Sequence, residues 1–288
     1  MNKRRKPIIP FLLIFIIGAG ILFYPKISFW WAEYNQVTAV QSYEKVISGM
    51  TPEEKDAEWE KARDYNERMA ASIVKDPFAD TENIDPFDRY YDTLDVGDGI
   101  MGYVEIPSIH VMIPIYHGTG EAILEKGVGH IKATALPIGG TGTHSVLTGH
   151  TGLHTAKLFT DLVEVKPGEK FYIDVLGRTL AYEVDQIEVV EPDDISKLAA
   201  VEGEDHITLV TCTPYGVNSH RLLVRGTRCE YIEDERNNDS GRVQFPWWVL
   251  LLILFLTALL LIIGSRLQKR AGKKKVNGGR IQRKSDEK

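Results

Sequence analysis

Two long uncharged apolar runs, one near each end of a 288-residue chain, constrain it more than any other feature. The first is Pro7 to Pro25 (PIIPFLLIFIIGAGILFYP), directly behind Lys3-Arg4-Arg5-Lys6. The second lies between Arg242 and Arg266, with the apolar core Phe245 to Ile263. Crossing a hydrocarbon slab of about 30 Å takes roughly 20 apolar residues at 1.5 Å each, so both runs predict membrane helices. Gly18-Ala19-Gly20 leaves a cleaved signal peptide as the alternative for the first run, although no A-x-A site follows it. Trp247 and Trp248 open the second where an interfacial aromatic belt belongs, and Arg266, Lys269 and Arg270 close its far end.

Charge is sorted by sign along the chain, and that sorting sets the expected orientation. Residues 1–6 carry four positive charges, and residues 266–288 carry ten positive and two negative. The ends therefore sum to +12 against a total of −6, which leaves −18 between the runs. Basic flanks stay in the cytoplasm, so the expectation is a cell-membrane protein with both termini inside and an acidic extracellular domain. An acidic surface repels phosphate, which argues against nucleic acid as a partner. The basic tail reads as a topology and lipid-surface signal. Hydrophobic residues at 43% and charged residues at 26% are ordinary globular values and exclude a collagen-like or wholly disordered chain.

The segments between divide by pattern. Residues 1–6 form a basic segment and 7–25 the first span. Residues 26–72 lack strand runs, and Thr51-Pro52-Glu53-Glu54 is a helix start of cap, proline and acids, which predicts a helical stalk. Residues 73–99 hold Asp76-Pro77-Phe78 and Asp85-Pro86-Phe87 without period and read as a long loop, of a length that is usually functional or disordered. From 100 to 230 short β-rich runs alternate with turns: Gly102–Ile106, Val111–Tyr116, Ser145–Thr148, Lys170–Val175, Leu180–Val190, Ile207–Thr211 and Arg221–Gly226, with a short helix at Ala156–Leu162. Seven or eight strands at this spacing predict a mainly β sandwich or closed barrel. Residues 231–242 are a polar linker, 243–265 the second span and 266–288 the basic tail.

Two cysteines are too few for a disulfide scaffold, so either they pair once or one is kept for its chemistry. Alternation in Ile207–Cys212 places Thr208, Val210 and Cys212 on one face, and Pro214 ends the strand, leaving Cys212 at a terminus that can face a cleft. A cysteine nucleophile needs a nearby base or cation. Arg221 opens the next strand across an eight-residue loop (Thr213 to His220), beside Cys212, where its guanidinium could stabilise an oxyanion. Of eight histidines, His150 follows a strand and is flanked by Gly149 and Gly152, the placement an acid–base group needs. His144 and His154 lie close by, but no acidic or cysteine ligand has the spacing for a metal site, and no metal or organic cofactor is expected. On residues alone a Cys–His–Arg acyl-transfer site and a buried inert cysteine both stand.

Thr208-Leu209-Val210-Thr211-Cys212 resembles the sortase signature TLxTC, Leu147-Thr148-Gly149-His150 resembles the sortase histidine segment, and Arg221 falls where that family's arginine follows its cysteine. The resemblance runs from about Tyr65 to Arg228 and includes Gly99–Pro107 and Lys157–Leu162. The C-terminal span and an Asp-Pro-aromatic segment before the barrel resemble class C, the pilin polymerases of Gram-positive bacteria. The resemblance implies an eight-stranded sortase barrel with short helices, behind the stalk and between two transmembrane helices, with Cys212, His150 and Arg221 as the catalytic set. It implies an LPxTG-type signal on a pilin or surface-protein precursor as donor and a pilin lysine as acceptor. Thr208 and Thr211 are then expected to border the substrate. It also implies an acidic-aromatic lid, placed at Asp76 and Phe78 with Asp85 and Phe87 as the alternative. Cys229 is expected to be a small buried apolar residue. Rival readings are a housekeeping sortase that uses a cell-wall precursor amine, a cysteine endopeptidase that uses water, and a non-enzymatic scaffold with an inert cysteine.

Overall fold

The structure, a computed structural model, describes residues 8–70, 89–153 and 155–233, together with Arg236, Trp247, Val249, Leu250 and residues 254–257. Both Asp-Pro-Phe segments and His154 lie outside the described residues. The chain divides into two units, Met1–Val243 and Gln244–Lys288. Of the second, Trp247, Val249, Leu250 and residues 254–257 are helical, and the rest of that apolar run lies outside the described residues.

The first unit opens with α1 (Ile8–Gly49), in which the expected span and the first part of the expected stalk are one continuous helix that passes through Pro25. Proline in a helix interior costs about 3 kcal/mol, so its presence would ordinarily mark a boundary. Neighbouring apolar context lets membrane helices carry it. Among the described residues α1 is the helix long and apolar enough to cross a membrane. Beyond its apolar half, Val37, Val40, Tyr43 and Ile47 recur at helical spacing and are buried against the barrel. The Tyr43 hydroxyl donates to Met101 O (3.1 Å) and accepts from the Leu176 amide (2.8 Å). A reciprocal cap starts α2 (Pro52–Ala70): the Thr51 amide donates to Glu54 Oε2 (2.8 Å) and the Glu54 amide to Thr51 Oγ1 (3.2 Å).

Eight strands close into a barrel in the order β1-β2-β3-β4-β7-β8-β6-β5. They are β1 (Ile100–Ile106), β2 (Val111–His117), β3 (Val128–His130), β4 (Thr143–Thr148), β5 (Lys170–Val175), β6 (Arg178–Val190), β7 (Asp205–Thr213) and β8 (His220–Cys229). Seven coincide with the runs read from sequence. The eighth, β3, has three residues, too few for a period, and is recruited by parallel pairing with β2 (Ile115 opposite Val128). The helix expected at Ala156–Leu162 is absent: Leu158 adopts φ 41°, which breaks a right-handed helix, and only a 3₁₀ segment follows at Thr160–Glu164. A single turn, α3 (Glu121–Leu124), lies between β2 and β3.

Inside the barrel sits one large core that includes Ile113, Leu147, Phe159, Phe171, Tyr182, Leu209 and Val224. A second cluster, Ile131, Val146, Val190, Leu198, Val210 and Leu223, covers the other face of the β4–β7–β8–β6 sheet. One ion-pair set is buried deeper than its composition suggests. Arg236, beyond the last strand, places Nε 2.6 Å from Glu105 Oε2 and Nη2 3.0 Å from Asp174 Oδ2, and both acids are buried in β1 and β5.

Candidate active site

β4 and β7 are parallel neighbours, paired from Thr143 opposite Asp205 to Thr148 opposite Val210. Parallel strands advance in phase, so two residues beyond the last pair His150 and Cys212 leave the same end of the sheet on the same side. The ladder is extended past its last pair, because the Gly149 amide donates to Val210 O (3.0 Å) and Thr211 Oγ1 donates to Gly149 O (2.7 Å). Arg221 arrives from the other side: β7 and β8 are antiparallel with Cys212 directly opposite Arg221. Directly opposed residues share a face with Cβ atoms about 4.5–5.5 Å apart. The connection is shorter than expected, since Thr213 and His220 themselves pair and only residues 214–219 form the turn.

Local packing explains the glycines beside His150. A Cβ on Gly149 would stand 2.8 Å from the Phe159 ring, and the Phe159 amide donates to His150 O (3.1 Å). Gly152 has φ 75°, and its Cβ position lies 3.3 Å from the Tyr215 ring. His150 Nε2 is shielded from solvent and lies 3.5 Å from Glu121 Oε1 without hydrogen-bond alignment, a contact that becomes an ion pair when the imidazole is protonated. Cys212 is a free thiol, half-buried. Arg221 Nη1 is steadied by His220 O (3.2 Å) and Asn218 O (3.4 Å), and among the described residues it is in no ion pair. A sulfur, an imidazole and a guanidinium thus converge at one sheet end, the set an acyl transfer requires.

Other expected residues have different positions. Thr208 and Thr211, expected to border the substrate, are both buried, Thr211 Oγ1 donating to Gly149 O and Thr208 Oγ1 lying 2.7 Å from His144 Nε2. Cys229 is half-buried rather than fully buried, at the far end of β8 from Arg221. His144 is closed off by Thr208 and by Ala199 O (3.1 Å), and burial pushes its pKa down to about 4. His130, accepting from or donating to the Tyr90 hydroxyl (2.9 Å) and facing Ala135 O (2.8 Å), is pushed down to about 3 by burial. Among the described residues no three His, Cys, Asp or Glu side chains converge as metal ligands.

Three residues beside the site were not legible in the sequence. Glu121 belongs to a one-turn helix whose place beside His150 is set by the β2–β3 crossover. Ile195 and Leu198, in the β6–β7 connection, join Val210 and Leu223 over the sheet face below Cys212. Beside them a cavity of about 260 Å³ is bounded by Met69, Thr134, His144, Ile195 and Leu198.

Comparison with known proteins agrees in fold and in extent. A family model described as Sortase domain matches residues 104–229. The chain is 29% identical to sortase A of Bacillus anthracis over 229 residues, covering 78% of this chain and 96% of that protein. Sortase C1 of Streptococcus agalactiae, solved in complex with MTSET, is 44% identical with a TM-score of 0.62, over 68% of this chain and 98% of that one. Sortase C of Streptococcus pneumoniae is 43% identical with a TM-score of 0.61, over 67% and 97%.

Proposed function

Because the chain belongs to the sortase family, and is a cysteine transpeptidase carried on an N-terminal apolar helix, we propose that it is a class C enzyme that joins pilin subunits. The observation that carries this reading is the register: Cys212 opposite Arg221, with His150 two residues past the in-phase β4–β7 pair. Cys212, as thiolate, attacks the Thr–Gly carbonyl of an LPxTG-type signal, and Arg221 holds the developing oxyanion. His150, as imidazolium beside the Glu121 carboxylate, protonates the leaving amine, and a thioester remains. His150 then takes a proton from a pilin lysine, whose amine displaces the thiol to form an isopeptide bond. The sorting motif lies at the end of the sheet beside Cys212 and Arg221, next to the buried cluster in which Ile195 and Leu198 cover Val210 and Leu223. Both termini are cytoplasmic, and the barrel faces outward.

The likeness in class supports the pilin acceptor. One neighbour is sortase C1 of a group B streptococcal pilus island, and the structure of the Streptococcus pneumoniae enzyme bears on pilin substrate specificity. A lid mutant of the Streptococcus agalactiae enzyme supports a lid here as well. Asp76 pairs with Arg221 and Phe78 covers Cys212 in this reading, with Asp85 and Phe87 as the alternative pair. Alanine at Asp76 and Phe78 then speeds thiol labelling of Cys212. Unchanged labelling there, with a gain from Asp85 and Phe87, moves the lid to the second motif.

The deciding experiment incubates the full chain, and Cys212→Ala, with an LPxTG-bearing pilin. A Cys212-dependent ladder of high-mass products is expected. The second reading, attachment to a cell-wall precursor amine, is favoured by the long match to sortase A of Bacillus anthracis. It predicts transfer to that amine and no ladder. Release by water alone, unchanged by hydroxylamine, would leave only an endopeptidase.

A further inference from the structure

α1 sets a height as well as an attachment. Its uncharged part ends at Pro25 after about 18 residues, close to the hydrocarbon thickness, so Lys26 and Ser28 stand at the outer edge of the slab. Phe29, Trp31 and Tyr34 follow as exposed aromatics, the composition of an interfacial belt. The barrel already touches the helix at this level. Ser28 Oγ donates to Thr155 O (3.3 Å), five residues after His150, and Phe29 and Glu33 line a cavity with Lys157 and Leu158. The opposite end of the barrel is met farther along, at Tyr43, Glu44 and Ile47, beside Leu176, Tyr103 and Gly177. Ile47 lies about 28 Å farther along the helix than Ser28 at 1.5 Å per residue. The reactive end of the barrel therefore faces the bilayer.

The turn between β7 and β8 stands at that end. Tyr215 packs on Gly152, three residues before Thr155, so the contacts Ser28–Thr155 and Gly152–Tyr215 fall on one short stretch of chain. Tyr215 is 63% exposed and Val217 69% exposed, and neither joins either core cluster. A tyrosine with an apolar neighbour, held beside an aromatic belt at the edge of a slab, suits the headgroup boundary, where the ring is buried and the hydroxyl stays wet.

We propose that residues 214–219 are a second membrane contact, in which Tyr215 and Val217 enter the lipid interface beside α1 so that the groove at Cys212 opens onto the bilayer surface. The occupant of this apolar turn is lipid, because the span that ends just before Ser28 brings the bilayer to it. The groove then receives polypeptide as it leaves the membrane. The proposal rests on the anchoring helix and not on the identity of the acceptor.

The test uses the full chain in nanodiscs containing phosphatidylglycerol, with Cys212→Ala and Cys229→Ala. A single environment-sensitive fluorophore is attached at Val217→Cys or, as control, at Val201→Cys near the other end of β7. Lipids carrying a shallow nitroxide are expected to quench the label at 217 about twofold or more and to leave that at 201 unchanged. Equal weak quenching at both sites overturns the proposal. So does a blue shift at 217 that appears only with an added sorting-signal peptide or only with rising protein concentration, since either gives the loop to another occupant. Hydrogen exchange on the unsubstituted chain supplies a check free of folding effects: peptides covering 214–219 should exchange more slowly in nanodiscs than in amphipol, and equal rates overturn the proposal. Neither readout involves turnover, so failure here leaves the transpeptidase reading intact, and loss of that reading leaves this result interpretable.

Discussion

Replacing Arg236 by alanine should destabilise the barrel far more than a linker residue ordinarily would. Its guanidinium is 14% exposed, and its partners Glu105 and Asp174 are 1% and 8% exposed. Removing it takes the shared guanidinium away from two buried carboxylates, a change worth about 3–5 kcal/mol. A change of 1 kcal/mol moves the midpoint by about 2–4 °C in a domain of this size, so a fall of about 6–20 °C at pH 7.5 is expected. The pH dependence carries the argument. Burial already raises the Asp174 pKa, with the Thr179 hydroxyl and Arg236 pulling it back. Without Arg236 the carboxyl binds its proton still more tightly in the folded state than in the unfolded one, so stability falls as pH rises above the ordinary carboxylate range. The deficit should therefore shrink as pH is lowered toward 5. Adding Glu105→Gln and Asp174→Asn to Arg236→Ala should recover most of the loss at pH 7.5. Melting of the full chain in detergent, followed by near-UV circular dichroism, reads all three. A midpoint within 2 °C of the parent (against the ~3–5 kcal/mol argued above), or a deficit independent of pH, would refute the reasoning.

Three further outcomes follow from the site and its supports. Arg221→Lys keeps the charge but loses the planar fork opposite Cys212, and should lower kcat about 10²–10³-fold with little change in KM; an unchanged kcat would remove the oxyanion role. Gly149→Ala drives a methyl into the Phe159 ring, and should cost about 1–3 kcal/mol of stability along with activity; a neutral result would mean that the ring moves freely. His130, at about 3, and His144, at about 4, stay neutral in the fold while the unfolded chain protonates below 6.5. Stability should therefore fall as pH drops from 6.5 toward 4, by up to about 1.4 kcal/mol per pH unit for each. His130→Gln should lower that slope by up to about 1.4 kcal/mol per pH unit in urea titrations, since His206, in the same sense, and Asp174 and Asp205, in the opposite sense, act equally in both proteins; parallel slopes would contradict the assignment.

Much of this was legible in the residues because the relevant physics is local. Alternation from Ile207 to Cys212 specifies a strand with the cysteine near its end, and the cap at Thr51–Glu54 specifies where α2 begins. What escaped was set by distant parts of the chain. Three-residue β3 exists only because β2 offers it an edge, and the segment at Ala156–Leu162 bends away from helix to seat Phe159 against Gly149. The partners of Thr208 and Thr211, the His144 imidazole and Gly149 O, lie 64 and 62 positions away and left no trace in the signature. No local pattern distinguishes Arg236 from the other charges of its linker, because its partners lie 131 and 62 positions away.

The pairing of Cys212 with Arg221 has a practical consequence for engineering. These two groups, with His150, are aligned by ladders of main-chain bonds, while the turn at 214–219 and the β6–β7 connection only border them. Framework and loops are thereby mechanically decoupled. Loops can be exchanged between sortases without moving Cys212, Arg221 and His150, because the spacing of these three is written in the sheet.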